Sequence, residues 1–415
     1  MTYKVTPPKR ISGIISLPAS KSISNRALVL KALAHGTHAI ENLADCDDTM
    51  VIINAFESHE ELVDIKAAGT AMRFLTAYYS TQPGTRIITG TERMKQRPIG
   101  ILVDALRELG ADIEYVERDG YPPLRITGRQ LQSKELNLPG DVSSQYISAL
   151  LMIAPTLPTG LQLSLTGQVT SLPYIDMTLQ MLHDFGATAS RNDSMNPMQI
   201  SVQAGNYQDI PYTIENDWSA ASYWYEMVAF CDNPNAYVIL PHLYADSTQG
   251  DWKGSLVFSK LGVQTEFKPE GIRIYKQGKP TEKLEHDFSK IPDLAQTFTV
   301  TCCLMGIPFR FTGLHTLRIK ETDRINALIN ELHKLGFVLH AEGNDALHWN
   351  GEKCQAEETP TIATYDDHRM AMAFAPVSMC LGSIMIEHPE VVSKSYPRYW
   401  DDLQMAGFIL MKNEE

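Results

Sequence analysis

One pattern of polar and apolar positions recurs along this chain: a small or polar residue followed at once by an apolar run with helical character. Ser, Thr and Asp are favoured N-caps, so each occurrence predicts the start of a buried helix. The six predicted helix starts lie at Lys21, Gly69, Ser143, Asp217, Asp293 and His368.

The spacing of these starts indicates an internal repeat. Successive starts are 48, 74, 74, 76 and 75 residues apart. A fixed period of this kind is typical of repeated supersecondary units. The alternative is chance, because helices that begin with Ser or Asp are common. The first interval is short by about 27 residues, which predicts that the second unit has lost a strand or a helix around 49–67.

Strand-like and helix-like segments alternate between the starts. Strands are predicted at 11–17, 161–165, 237–240, 271–275 and 383–386. Amphipathic helices are predicted at 99–109 and 176–185, each followed by a glycine that is typical of a helix C-terminus. We therefore expect an α/β fold of six repeats, in two halves of three with the midpoint near residue 215.

Composition narrows the functional classes. The 415 residues are 44% hydrophobic and 20% charged, as in ordinary globular proteins. The net charge is −13 and no basic block occurs, so we expect no nucleic-acid partner. No apolar stretch is long enough to span a bilayer and the N-terminus has no signal pattern, so we expect no membrane partner and a cytoplasmic location. The six cysteines show no zinc-ligand spacing, and we expect free thiols.

The segment LPASKSISNRALVL suggests an anion site. Helix N-termini carry unpaired N–H groups and partial positive charge, and Lys21 adds a full charge there. Ser22 and Arg26 are four residues apart, so a helix places them on one face. The pattern predicts binding of phosphate or carboxylate, and the alternative is an ordinary capped surface helix. The string is not a Walker A loop.

The second half holds further charged segments. In LRIKETDRINAL, Lys320 and Arg324 are predicted on one helical face with Glu321 beside them. In YDDHRMAM, acidic residues open a helix; metal binding is an alternative, but acidic residues favour a helix start by themselves, and we expect no metal. Taken singly, each of these segments also fits plain surface charge.

The motifs in order resemble the EPSP synthase (3-phosphoshikimate 1-carboxyvinyltransferase) family of enolpyruvyltransferases. They are LPASKSISNRAL, GTAMRFL, RPIG, LPGDVSSQY, IKETDRI, DDHRMAM and SKSYP, and the resemblance covers essentially the whole chain. It implies a two-domain inside-out α/β barrel, with three βαβαββ repeats in each domain and the active site in an interdomain cleft. The domains would be 19–214, with one repeat shortened around 49–67, and 1–18 plus 215–415.

The resemblance also implies a reaction: phosphoenolpyruvate donates its enolpyruvyl group to the 5-hydroxyl of shikimate 3-phosphate by addition and elimination, and phosphate leaves. No cofactor or metal takes part, and we expect a monomer that binds only these two small molecules. Asp293 matches the family's base, and Glu321 and Lys21 are both candidates for proton delivery to carbon.

The matching motif positions supply the binding residues. Those implied for shikimate 3-phosphate are Lys21, Ser22, Arg26, Ser143, Ser144, Gln145, Ser171, Tyr174, Asp293, Thr316 and Lys320. Those implied for phosphoenolpyruvate are Lys21, Gly69, Arg97, Gln145, Arg324, Arg369 and Lys394.

Departures from the family pattern leave two points open. Ala67 and Phe74 replace an Asn and a Pro that many members carry, and Thr316 replaces an Asn. Sensitivity to glyphosate, which mimics phosphoenolpyruvate, and the role of Thr316 therefore do not follow from the resemblance. The alternatives are the sister UDP-N-acetylglucosamine enolpyruvyltransferase, whose loop cysteine has no counterpart around 93–97, and a non-catalytic anion-binding protein on the same fold.

Overall fold

A computed structural model describes residues 1–231 and 233–413. The chain forms two compact units, which we call the inserted unit, Ala19–Ile214, and the terminal unit, Met1–Pro18 together with Glu215–Glu415. Residues 232, 414 and 415 of the terminal range lie outside the described residues. Each unit has its own hydrophobic core.

Two strands precede the inserted unit, β1 Thr2–Thr6 and β2 Ser12–Ile14. The strands of the inserted unit are β3 Ile40–Glu41, β4 Leu62–Asp64, β5 Gly84–Thr89, β6 Asp112–Tyr115, β7 Leu124–Gly128, β8 Glu135–Pro139, β9 Leu161–Thr166, β10 Ala189–Asn192, β11 Met198–Val202 and β12 Tyr212–Thr213. Its helices are α1 Lys21–Leu33, α2 Asp47–Glu57, α3 Gly69–Thr81, α4 Glu92–Lys95, α5 Gly100–Glu108, α6 Ser144–Ile153 and α7 Leu172–Asp184.

The terminal unit continues the same alternation. Its further strands are β13 Tyr237–Pro241, β14 Val263–Lys268, β15 Gly271–Lys276, β16 Leu284–Asp287, β17 Phe309–Thr312, β18 His340–Glu342, β19 Ala346–Trp349, β20 Thr361–Ile362, β21 Ile384–Glu387 and β22 Ile409–Asn413. Its helices are α8 Trp218–Phe230, α9 Gly254–Lys260, α10 Ala295–Leu304, α11 Arg324–Lys334, α12 His368–Phe374, α13 Ser378–Leu381 and α14 Tyr399–Met405.

One connectivity recurs in the four-stranded sheets. In β8–α6–β9–α7–β10–β11, strand β8 pairs in parallel with β9, and β11 lies antiparallel between β9 and β10. The same βαβαββ order runs through β4 to β7 and through β16 to β19. The N-terminal segment completes the other two sheets: β2 pairs with β13, and β1 lies between β21 and β22. The predicted α/β class is confirmed.

The unit that begins with α1 is the shortened one. In the described part of the chain, its sheet consists of β3 and β12, which pair in parallel. Within the described residues 47–64, α2 leads directly into β4 with no hairpin between them. The loss therefore belongs to the first repeat, and the prediction that placed it in the second unit is wrong. The spacing of helix starts shows how many residues are missing. It does not show whether they are missing from the end of the first repeat or from the beginning of the second.

The predicted helix starts lie on strongly buried helices. All seven residues of α12 and all but one of α8 are buried, as expected for helices that are apolar on every side. Neighbouring inner helices meet through equivalent repeat positions. Ser222 contacts Thr297 through hydroxyl oxygens 3.2 Å apart, and Thr301 donates to Glu226 at 3.2 Å, both 75 residues apart.

Several local predictions are corrected. The strand predicted at 11–17 covers only Ser12–Ile14, and the helix predicted at 176–185 begins earlier, at Leu172, because Pro173 is well suited to a first helical turn. Asp293 lies in a 3-10 turn, Pro292–Leu294, and α10 begins just after it. Within the described residues, none of the six cysteines forms a disulfide bond. No helix in the described part of the chain has the length and apolar character to cross a bilayer.

Candidate active site

In the inserted unit, the start of α1 carries a cation paired with a buried carboxylate. The hydroxyl of Ser20 accepts a hydrogen bond from the backbone N–H of Ile23, and Lys21 is the first residue of the helix. Lys21 Nζ donates to Asp48 Oδ2 at 3.2 Å. Sequence reasoning did not find Asp48, which lies in the first turn of α2. An acidic residue is favoured there by the helix dipole alone, so its presence did not indicate a partner.

Arg26, one turn along α1, is held by oxygens of its own unit. Its Nε donates to Thr178 Oγ1 at 2.8 Å and its Nη2 to Ser148 Oγ at 3.0 Å. Further bonds run to the carbonyls of Ser22 and Tyr174. Ser22 and Arg26 therefore share one helical face, as predicted. Burial lowers the pKa of Arg26 to about 10, so the side chain stays protonated at neutral pH.

The start of α6 is joined to the start of α3. Ser143 caps α6, and its hydroxyl accepts the backbone N–H of Gln145 at 3.3 Å. The Gln145 amide donates to Thr70 Oγ1 at 3.2 Å. Ser144, the first residue of α6, is buried beside them. Two helix N-termini of the inserted unit, each with polar side chains, therefore meet.

The turn before α7 presents a second set of hydroxyls. Ser171 adopts the left-handed conformation with φ of 53°, and its carbonyl accepts the backbone N–H of Tyr174 at 3.0 Å. Next to it, Thr170 Oγ1 is buried and has no hydrogen-bond partner among the described residues. An unsatisfied buried hydroxyl favours a ligand or a water at this position.

Gly69 makes room for Arg97. A Cβ on Gly69 would lie only 2.6 Å from Arg97 Nη1 and 3.0 Å from its Cζ. Arg97 is 9% exposed. Within residues 1–231 and 233–413, its guanidinium group has neither a hydrogen bond nor an ion pair. A nearly buried, unpaired cation against the first residue of α3 is suited to binding an anion.

In the terminal unit, Asp293 is surrounded by three cations. Its Oδ2 lies 3.0 Å from Arg369 Nη2, and its Oδ1 lies 3.0 Å from Arg324 Nη1 and 3.5 Å from Lys320 Nζ. Burial alone would raise the pKa of Asp293, but the three positive charges outweigh it and hold the pKa well below its ordinary value.

Arg324 connects this cluster to a second carboxylate and a further cation. Its Nη2 donates to Glu321 Oε2 at 3.0 Å, and Glu321 Oε1 lies 2.9 Å from Lys394 Nζ. On its other side, Arg324 Nε donates to Asp367 Oδ2 at 2.7 Å. Despite its burial, the guanidinium of Arg324 among Asp367, Glu321 and Asp293 has a raised pKa.

Asp367 and Asp251 are further carboxylates that sequence reasoning did not assign to the site. Asp367 caps α12, where its Oδ1 accepts the backbone N–H of Arg369 at 2.9 Å. Asp251, in the 3-10 turn Gly250–Lys253, accepts from the hydroxyl of Ser219. Burial raises the pKa of Asp251 to about 7, and the negative charge of Asp293 adds to that rise.

The segment before α11 differs from its prediction. Lys320 follows a 3-10 turn, His315–Ile319, whereas Arg324 is the first residue of α11, so the two do not share a helical face. Asp323 caps α11 by accepting the N–H of Asn326 at 3.1 Å. Because Asp is a favoured N-cap, the sequence already indicated that this helix begins after Asp323. Thr316 Oγ1 is buried without a partner among the described residues.

These contacts define one side-chain set in each unit. Both sets combine cations with polar side chains near helix N-termini, an arrangement that suits ligands with several negative charges. Among the described residues, no group of three or more His, Cys, Asp and Glu side chains is arranged to hold a metal. Three cations lie within 3.5 Å of the Asp293 carboxylate and shift its pKa, which makes Asp293 a candidate for proton transfer.

Comparisons with known proteins agree on one family. A family model described as EPSP synthase (3-phosphoshikimate 1-carboxyvinyltransferase) matches residues 5–61 and 52–403. A protein named 3-phosphoshikimate 1-carboxyvinyltransferase from Bacteroides fragilis is 56% identical over the whole of both chains. One of the same name from Colwellia psychrerythraea is 36% identical, covering 97% of this chain and 99% of its own length.

A solved structure gives the same result for the fold. An EPSP synthase from Acinetobacter baumannii superimposes with a TM-score of 0.78 over 99% of this chain and 100% of its own, at 21% identity. At that identity the likeness concerns the fold.

Proposed function

This chain belongs to the EPSP synthase family, and we propose how its described side chains carry out that family's reaction. The chain transfers the enolpyruvyl group of phosphoenolpyruvate to shikimate 3-phosphate and releases phosphate, a step of aromatic amino-acid biosynthesis. Each substrate carries a phosphate and a carboxylate, so the reaction needs several cations and no metal to bind them.

The binding residues divide between the two substrates as the resemblance implies. For phosphoenolpyruvate the cations are Lys21, Arg97, Arg324, Arg369 and Lys394, with Gly69 and Gln145 beside them. For shikimate 3-phosphate the residues are Lys21, Ser22, Arg26, Ser143, Ser144, Gln145, Ser171, Tyr174, Asp293, Thr316 and Lys320. The unpaired guanidinium of Arg97 and the unsatisfied hydroxyl of Thr316 support their places in these groups.

The observation that carries the mechanism is the position of Asp293 among three cations. Arg369 and Arg324 belong to the phosphoenolpyruvate group, and Lys320 belongs to the shikimate 3-phosphate group. Substrate anions therefore compete with Asp293 for the same three partners. When the substrates take these cations, the pKa of Asp293 rises from its depressed value, and the carboxylate becomes a stronger base for the 5-hydroxyl proton.

The chemistry then runs through two proton transfers and their reversal. The 5-hydroxyl oxygen attacks the enol carbon that bears the phosphate, Asp293 takes its proton, and an acid protonates the methylene carbon. In the elimination, phosphate leaves and the methyl group loses a proton, which restores the enol. Glu321, between Arg324 and Lys394, and Lys21, paired with Asp48, are the two candidates for the acid.

Three further assignments complete the proposal. The inserted and terminal units correspond to the two enolpyruvyltransferase domains, 19–214 and 1–18 plus 215–415. The enzyme acts as a monomer. It works in the cytoplasm.

Phosphate release with two competing acceptors tests the proposal. Purified full-length protein is mixed with phosphoenolpyruvate and either shikimate 3-phosphate or UDP-N-acetylglucosamine. We expect stoichiometric phosphate release only with shikimate 3-phosphate. Release with the nucleotide sugar alone would assign the chain to the sister reaction, and release with neither would indicate a non-catalytic anion-binding protein.

A further inference from the structure

The main chain just after Arg97 is held by two buried side chains from different helices. The carbonyl of Pro98 accepts a hydrogen bond from Tyr146 Oη at 2.5 Å and another from Arg73 Nη2 at 3.1 Å. Tyr146 comes from α6 and Arg73 from α3. Both donors therefore bind the carbonyl of the residue that directly follows Arg97.

Arg73 also reaches the helix start that Arg97 faces. Its Nη1 donates to the carbonyl of Gly69 at 3.0 Å, while its Nη2 holds Pro98. The rigid, planar fork of one guanidinium group thus spans the first residue of α3 and the residue after Arg97. The guanidinium lies over the ring of Tyr146, 5.9 Å from its centroid, so the two donors also pack on each other.

The geometry at Gly69 shows how close the two arginines come. Arg97 Nη1 and Arg73 Nη1 lie 2.6 and 3.1 Å from the position that a Cβ on Gly69 would occupy. Two positive charges beside one glycine repel each other, and that repulsion is relieved when an anion binds between or against them. Arg73 itself is 3% exposed and holds main-chain carbonyls, which leaves the anion to Arg97.

We propose that Arg73 and Tyr146 are positioning residues for Arg97: together they clamp the Pro98 carbonyl and so aim the Arg97 guanidinium at the anionic group of phosphoenolpyruvate. This rests on the function proposed above. The ring of Pro98 fixes its own φ angle and restricts the backbone conformation of the preceding residue, Arg97. Holding the Pro98 carbonyl therefore leaves the Arg97 backbone few alternative positions. Neither side chain touches the substrate in this account.

The mildest test is Tyr146→Phe, which removes one donor and keeps the ring. A matched control is Tyr207→Phe: Tyr207 is also buried in the inserted unit, and its hydroxyl donates to the carbonyl of Met152 at 2.6 Å. Met152 lies six residues after Tyr146 in α6, so the two residues are about 9 Å apart along the helix axis. Each variant loses one tyrosine-to-carbonyl bond, but only the first loses it next to Arg97.

We expect Tyr146→Phe to raise the KM for phosphoenolpyruvate three- to tenfold, with the KM for shikimate 3-phosphate within twofold of wild type. Tyr207→Phe should change neither KM. Arg73→Lys keeps the positive charge and loses the fork, and should raise the phosphoenolpyruvate KM at least tenfold. Thermal melts of all three variants identify any that fail to fold, and Tyr146→Phe keeps the test decisive if Arg73→Lys does so.

Three results would overturn the inference. An unchanged phosphoenolpyruvate KM in Tyr146→Phe would show that the clamp does not act on Arg97. Equal rises in both KM values, or the same rise in Tyr207→Phe, would indicate general loosening of the unit. Wild-type protein that releases no phosphate from the two substrates would refute the proposed function as well, and this result is separate from the other two.

Discussion

Replacing Gly69 with alanine places a methyl group against the guanidinium of Arg97. The new Cβ would lie 2.6 Å from Nη1, whereas ordinary contact begins near 3.4 Å, so the guanidinium has to retreat by about 0.8 Å. The end of an arginine side chain can move that far without unfolding the unit. Alanine also favours helix more than glycine, so we expect the melting temperature to stay unchanged or rise slightly.

The displacement weakens the contact between Arg97 and its anion. A hydrogen bond to a charged group contributes about 1.5–3 kcal/mol, and loss of about 2 kcal/mol corresponds to a rise of roughly 30-fold in the KM for phosphoenolpyruvate. The KM for shikimate 3-phosphate should stay within about twofold. The assay is initial-rate phosphate release, with each substrate varied in turn while the other is saturating.

Gly100→Ala is the matched control for this substitution. Gly100 is also the first residue of a helix in the inserted unit, but its Cβ would have no neighbour nearer than 3.5 Å. We expect normal KM values for both substrates in this variant. A normal phosphoenolpyruvate KM in Gly69→Ala, or an equal rise in the Gly100→Ala control, would show that Gly69 does not keep Arg97 in position for its anion.

Two further predictions concern buried carboxyl groups of the terminal unit. Burial raises the pKa of Glu226 well above its ordinary value, so the stability that its protonated form provides is present below about pH 4.5 and is lost as the pH rises. The melting temperature of Glu226→Gln, measured relative to that of wild type, should therefore increase from about pH 5 to pH 8. A difference between the two melting temperatures that stays constant over this pH range would contradict the prediction. Asp367→Asn removes the buried partner of Arg324 and should lower the free energy of unfolding by about 3 kcal/mol in a denaturant titration, together with kcat/KM. Unchanged stability would show that Glu321 and Asp293 suffice to hold Arg324.

The helix starts were predictable because their signals are local. Ser20, Ser143 and Asp217 each accept a hydrogen bond from a backbone N–H two or three residues ahead, so the cap and its helix lie in one short string. The period of the repeat was equally visible, and contacts between residues 75 apart, such as Gln145 with Thr70, follow from it.

The pairings inside the site were not predictable, because they join segments that are distant along the chain. Arg97 meets Gly69 across 28 residues, and Arg324 meets Asp367 across 43. No spacing rule connects such positions, since a loop of unknown path lies between them. One relation could have been predicted from the sequence. Asp323 is a favoured N-cap, which indicates that the helix begins after it and does not contain both Lys320 and Arg324.

A comparison of binding and turnover in Asp293→Ala tests whether Asp293 is the base of the reaction. Removing this carboxylate takes one partner from each of its three cations and leaves the cations in place, so calorimetry should show that shikimate 3-phosphate and phosphoenolpyruvate still bind. Turnover should fall by about 10²–10⁴, the usual contribution of a general base, and Asp293→Asn should behave alike. Binding with slow turnover is the predicted result, and turnover within tenfold of wild type would contradict the role of Asp293.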